Sequence, residues 1–237
     1  MENNIKKQPE ESGKKEIFDI DIPVVYVTGI VSEINCLRES IELQRSFQKQ
    51  GYKVGMISNS KEVESQKDSF YCYFEEYNVE NIVKINHFVK QIENTNHYDL
   101  LFVVLMSGAG ILGRKVIEDF GLEVYSWRRA VPFDCIVLNV FYGNYTEESL
   151  AILGNSVQDV LGSKVDFYNI VDQMLDLDES EKNNSVHTWP VDRESLQNSI
   201  FLLKSNETYA MKLDGEIERL RDGIIEKLSE YGEVERM

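Results

Sequence analysis

With 237 residues, 42% of them apolar, the chain can fill the core of one large domain. It has no run of about 18 apolar residues, and its first stretch, MENNIKKQPEESGKK, lacks a signal-peptide core, so a membrane span and secretion are excluded and a cytoplasmic location is expected. A formal charge of −16 and a pI near 4.7 repel nucleic acid and anionic lipid; a cationic peptide or a basic patch on another protein is attracted, although solubility alone also accounts for an acidic surface.

Residues 1–20 are polar and predict a disordered tail; residues 21–237 predict a single α/β domain. IPVVYVTG is a β-branched run that ends at Gly29 and reads as a strand buried on both faces. In residues 33–50 the spacing of Ile34, Leu37, Ile41, Leu43 and Phe47 predicts a helix, with Gly51 as its C′ residue. YKVGMIS follows as a second strand. KEVESQKDSFYCYFEEYNV shows no clear pattern, and then Ile82, Ile85, Val89 and Ile92 predict a helix over 80–96 that leads into a third strand, YDLLFVVLM.

A helix near 111–120, a short strand at LEVYS, a strand at DCIVLNVF, a helix from Thr146 to about Leu161 and a strand at KVDFYNI continue the alternation. Thr146 is suited to cap its helix, with Glu147 and Glu148 in the favourable first turn. LDLDESEKNNS reads as a polar loop, and VHTWPV as a last strand or an extended connector. From about 208 to 231, Leu213, Ile217, Leu220, Ile224, Leu228 and Tyr231 form one apolar stripe, for an amphipathic helix docked on the sheet or for a seam in a homo- or hetero-oligomer. The fold class expected is α/β: a doubly wound, mainly parallel sheet flanked by helices, like a P-loop NTPase with a degenerate phosphate loop.

The degeneracy is explicit. A phosphate loop reads G-x-x-x-x-G-K-[ST] between strand and helix, its amides wrapping the phosphates, its Lys neutralising them and its hydroxyl holding Mg²⁺. Here Gly29 is followed by Ile34, Asn35 and Cys36 at the positions of the second Gly, the Lys and the hydroxyl, and Glu33 adds a negative charge. These changes argue against ordinary Mg·ATP hydrolysis. The amides of a helix starting near Glu33 would still favour an anion, with Thr28, Gly29, Ser32 and Asn35 as contacts; alternatively the loop is only a connection kept by the fold.

After the third strand, Ser107-Gly108-Ala109-Gly110-Ile111-Leu112-Gly113 contains a literal G-x-G-x-x-G. It lies outside the first βαβ unit, and Glu123 comes too early to be the ribose-binding acid, so NAD and FAD are disfavoured and no cofactor is assigned. The better reading is a crevice at the carboxyl ends of the first and third strands, with Ser107, Gly108 and Gly110 beside the first loop and Arg128 or Arg129 supplying positive charge if LEVYS is adjacent. Salt bridges to Glu123 or Asp134 are the plainer role for those arginines. Ser58, Asn59 and Asn139 through Tyr142 also end strands there. Cys36, Cys72 and Cys135 are widely spaced and read as reduced, buried thiols; His87, His97 and His187 have no metal-ligand spacing, so no metal site is predicted.

Read together, PVVYVTG, SFQKQGYKVGMISN, INHFVKQIE, VVLMSGAGILGRKVIEDFGLEVY, AVPFDCIVL and EKLSEYGEVE resemble the C-terminal, P-loop-like half of the accessory "peptide maturation system" proteins of clostridial clusters for modified ribosomal peptides. The order of loops more distantly resembles dethiobiotin synthetase-like proteins, from which Ile34, Asn35 and Cys36 depart. The resemblance implies a part in modifying, escorting or recognising a precursor peptide, with that peptide or a peptide-modifying enzyme of the same gene cluster as partner, and it brings no catalytic residues. Family members carry another domain ahead of this half, which leaves open whether a separate chain supplies that function. An enzyme using the crevice on an anionic small molecule, nucleotide or peptide is the alternative.

Overall fold

A computed structural model of the chain describes residues 16–32, 34, 37–110, 120–203 and 207–234, the side chains of 230–234 excepted. Seven strands form one sheet in the order β3 (Ser69–Tyr71), β2 (Val54–Ser58), β4 (Leu100–Gly108), β1 (Val24–Gly29), β5 (Cys135–Val140), β6 (Phe167–Ile170) and β9 (Thr208–Tyr209). Every neighbouring pair is parallel. β1 is central, and the chain fills one side of it before crossing to the other, which places a topological switch beside its carboxyl end. This is the expected doubly wound, P-loop-like α/β class.

Two-residue alternation sorts the buried side chains. Val24, Tyr26, Leu101, Val103 and Leu105 face one core, shared with α2 (Val79–Asn96), α3 (Leu122–Ala130) and α4 (Glu147–Leu161). Val25, Val27, Leu100, Phe102 and Val104 face the other, closed by α1 (Leu37–Lys49) and α7 (Glu216–Val234). Helix ends follow the sequence signals: Gly51 has φ +97, and Thr146 caps α4 through the Ser149 amide. The apolar stripe of α7 is used inside the fold, with Leu220 and Ile224 buried and Arg221 donating to Ser46 on α1 at 3.0 Å.

Four expectations change. LEVYS is the first part of α3, not a strand: Val124, Trp127 and Ala130 recur at three-residue intervals on its buried side, with Glu123 in the first turn and Arg128 and Arg129 in the last, as the helix dipole favours. The preceding helix expected near 111–120 lies largely outside the described residues. Residues from Glu16 onward, assigned to the tail, are docked on α2, where the Asn86 side chain pairs with both Phe18 N–H and C=O at 2.8 Å and Glu93 accepts from the amides of Asp21 and Ile22. The unpatterned and polar stretches hold the edge strand β3 and α5 (Leu177–Asn183). The last helix starts at Glu216, because Thr208–Tyr209 pair with β6 and Gly215 turns the chain at φ +82.

Candidate functional site

The carboxyl edge of the sheet gathers most of the expected site residues. Thr28 is fully buried and its hydroxyl donates to the Ser107 carbonyl at 2.7 Å, joining β1 to β4. Its own carbonyl accepts from Asn139 Nδ2 at 3.0 Å; Asn139 Oδ1 accepts from Asn169 Nδ2, and Asn169 Oδ1 from the Met211 amide, both at 2.8 Å. This buried chain of amides crosses β1, β5 and β6 with its acceptors satisfied, and so fixes the edge.

Gly29 and Gly108 face each other across β1 and β4. Beyond them the two loops are sewn together: Ala109 N–H donates to Gly29 C=O at 2.9 Å, Gly110 N–H to Ile30 C=O at 2.8 Å, and Ile30 N–H to Asn139 C=O at 2.9 Å. A Cβ on Gly110 would lie 2.8 Å from the Ile30 carbonyl oxygen and from its side chain, and one on Gly29 would lie 2.4 Å from the Val31 oxygen. Gly29 and Gly110 permit close backbone approach. What approaches is the first loop itself.

That loop turns inward and is apolar. Val31 and Ile34 are buried in a small cluster with Phe141 and Val171 from the ends of β5 and β6, and Ile30, Leu175 and Val186 pack against it. The described part of α1 is Leu37–Lys49, and Ser32 is half-buried in a turn ahead of it. Glu33, Asn35 and Cys36 lie outside the described residues. A phosphate cradle needs inward-facing amides around open space. Here the amide of Ile30 is already bonded, and aliphatic side chains fill the ground above the strand.

Covering the cluster is a ribbon that the sequence did not reveal, β7 (Gln173–Leu175) antiparallel to β8 (Thr188–Pro190), fastened to the main sheet by Tyr142 N–H donating to Gln173 C=O at 2.7 Å. The one available hint was Leu175 and Val186 flanking an otherwise polar segment. VHTWPV thus contributes a strand, but to this ribbon and not to the sheet.

On the other side of β4 the same edge is polar. Asn59 accepts from the Met106 amide at 2.8 Å and donates to the buried Glu123 carboxylate at 2.9 Å. Ser107 is also buried, and its hydroxyl has no hydrogen-bond partner among the described residues. Cys72 lies nearby, hydrogen-bonded through its amide to Ser58 C=O; burial and the Glu123 charge push its thiol far up, so it is no nucleophile at neutral pH. Cys135 is likewise buried and free of a disulfide.

The arginines are elsewhere. α3 carries the chain from the carboxyl end of β4 to the amino end of β5, so Arg128 and Arg129 in its last turn sit at the opposite edge of the sheet. Arg128 donates to the Gly162 carbonyl at 3.4 Å, at the negative end of α4. They supply no charge to the crevice. Among the described residues no group of His, Cys, Asp and Glu is placed to hold a metal ion, and no helix is long and apolar enough to cross a membrane.

No protein-family model and no curated protein matches the chain. Among solved structures, a DUF1611 family protein from Anabaena variabilis is similar over 92% of this chain, with a TM-score of 0.62 and 11% identity. At that identity the likeness speaks for the fold alone, and the chain spans 63% of that protein's length. Chloroplast FtsY from Physcomitrella patens (14% identity, 81% of this chain and 68% of that one) and MinD from Aquifex aeolicus (12%, 85% and 87%) align with TM-scores of 0.44 and 0.42, too low to argue from.

Proposed function

We propose that this chain is a P-loop-like binding protein without ordinary ATP hydrolysis, serving as an accessory or regulatory subunit of a ribosomal-peptide maturation system in the cytoplasm. The observation that supports the reading is the apolar loop after β1: Val31 and Ile34 are buried with Phe141 and Val171, and Gly110 spends its amide on Ile30. A domain that keeps the scaffold and fills the pocket retains its surfaces, and the charge of −16 suits a basic partner. Within the proposal the partner is a precursor peptide or a peptide-modifying enzyme of the same gene cluster. An oligomer contact through α7 would have to use faces other than the Leu220–Ile224 stripe, which is in the core.

The test is nucleotide titration of the isolated chain by thermal unfolding, with phosphate release measured alongside. We expect no saturable stabilisation by Mg·ATP or Mg·GTP and no turnover. Stabilisation growing as RT ln(1 + [L]/Kd) together with turnover would end the reading.

A second reading, an enzyme acting on an anionic small molecule, nucleotide or peptide at the carboxyl ends of β1 and β4, is favoured by the unpartnered Ser107 hydroxyl beside Thr28, Gly29 and Gly108. In it Ser107 would contact the ligand, with Ser32 and Gly110 at the rim. It predicts that the anion stabilises the chain and that Ser107→Ala removes the effect.

A further inference from the structure

The ribbon that covers the apolar cluster has a second face. Its strands are bracketed by Val191 N–H donating to Asp172 C=O and Asp176 N–H to His187 C=O, both at 2.9 Å, so Met174 and Trp189 form a directly opposed cross-strand pair. Alternation along β7 sends Leu175 inward to the cluster and Met174 outward, with its partner Trp189 on the same side. Met174 is 43% exposed and Trp189 57%, and Leu177, the first residue of α5, is 47% exposed. A lone exposed apolar residue requires no explanation, but an opposed Met–Trp pair on the outer face of a lid adds little to folding.

The indole is also held in place. Trp189 Nε1 donates to Asp176 Oδ2 at 2.8 Å, while Asp176 Oδ1 caps α5 by accepting from the Glu179 amide at 2.9 Å. These two bonds keep the Asp176 carboxyl below the usual carboxylate range. An aromatic ring fixed before contact loses little entropy on binding, which is what makes Trp an effective anchor.

Charge indicates what binds. Residues 172–194 contain seven carboxylates, Asp176, Asp178 and Glu179 among them, against Lys182 and Arg193. Both cations are paired within the chain, Lys182 with Glu179 and Arg193 with Asp214. A second copy of this chain would bring −16 against −16 and is disfavoured. A Lys- or Arg-bearing segment gains both the long-range attraction and a cation over the indole face.

We propose that the outer face of the β7–β8 ribbon, Met174 and Trp189 with Leu177 beside them, docks a basic segment of a partner protein that carries an apolar anchor. The proposal rests on the reading of this chain as a binding subunit and names the surface and the chemistry of the partner. Because Leu175 on the inner face of the ribbon packs against the cluster that holds Val31 and Ile34, the docked segment and that loop share one thin layer of structure.

The test uses the whole chain and short labelled peptides: alternating Lys–Leu, Lys–Ser and Glu–Leu. Of the two tryptophans Trp127 is 1% exposed, so a binding-induced change in indole emission reports on Trp189, and peptide anisotropy gives the affinity. We expect saturable Lys–Leu binding with a blue shift of the emission. Trp189→Ala should weaken it roughly ten- to thirty-fold and Met174→Ser several-fold, as for anchor residues at the centre of an interface. Ile152→Ser, at an exposed apolar site on α4, should leave it unchanged.

Equal affinity for all variants, Lys–Ser binding as well as Lys–Leu, or no binding by any peptide overturns the proposal. So does a dimer that Trp189→Ala dissolves, which would make the face a self-association surface. Should Trp189→Ala fail to fold, Met174→Ser decides alone. Nucleotide turnover would sink the functional reading and leave the peptide affinities as measured, and absent peptide binding would leave the nucleotide result standing, so the two failures are distinguishable.

Discussion

On one side of the central strand's carboxyl end, the loop after β1 buries Val31 and Ile34 and closes itself with backbone bonds. On the other, between β2, β4 and α3, the half-buried Asn59 is bonded to the buried Glu123, and Ser107 near the end of β4 has a buried hydroxyl with no partner among the described residues. Both lie where open α/β sheets place their ligands. One edge can therefore be apolar at one strand end and polar a strand away, a difference that burial of the loop residues reveals and the residue types of the loop alone do not.

The comparison breaks most sharply at Asn139, which bonds to Thr28, Asn169 and Ile30 at once. Asn139→Ala removes the side chain from the buried ladder and with it one donor to the Thr28 carbonyl and one acceptor for the Asn169 amide. A loss of about 2–3 kcal/mol in urea unfolding is expected, near the sum of two buried hydrogen bonds and the void left behind. A loss below about 1 kcal/mol would mean that the ladder does not hold the edge.

Ile34→Ala tests the filled loop directly. Deleting a buried isoleucine side chain should cost about 2–3 kcal/mol, near the low end for such changes because the cluster is small and next to a turn that can collapse. Wild-type stability would show that Ile34 is not packed where it is described.

At the polar site the sign is reversed. Ser107→Ala deletes a buried hydroxyl that has no partner among the described residues, so stability should change by less than about 0.5 kcal/mol or rise. A loss above about 1 kcal/mol would reveal a bond that the hydroxyl makes.

Much of the scaffold was legible because both faces of the sheet are covered. Val24–Gly29, Val54–Ser58, Leu100–Gly108 and Cys135–Val140 are continuous apolar runs for that reason, and Gly51 and Thr146 mark helix ends by their local geometry. α3 escaped because a five-residue window with Leu, Val and Tyr fits either period; only Trp127 and Ala130 beyond it fix the helical face. β3 and β9, of three and two residues, have their neighbours on one side only and carry no run to read. At the site, the glycines and the missing lysine could be read from the chain, while the direction of the first loop could not. It depends on Phe141 and Val171, more than a hundred residues away, and on a ribbon whose sequence is mostly polar.

The bond between Arg221 and Ser46 spans 175 positions, and with Leu220 and Ile224 it brings α7 onto the face that α1 begins to cover. On a ribosome, that face of the growing sheet waits for the final helix, with Val25, Phe102 and Val137 shielded only in part while the intervening strands emerge. Contacts of such long range slow folding and leave nascent chains sticky. Synthesis at about 5–20 residues per second would then hold an unfinished, apolar surface open for roughly ten seconds or more, an interval in which chaperone engagement should decide the yield.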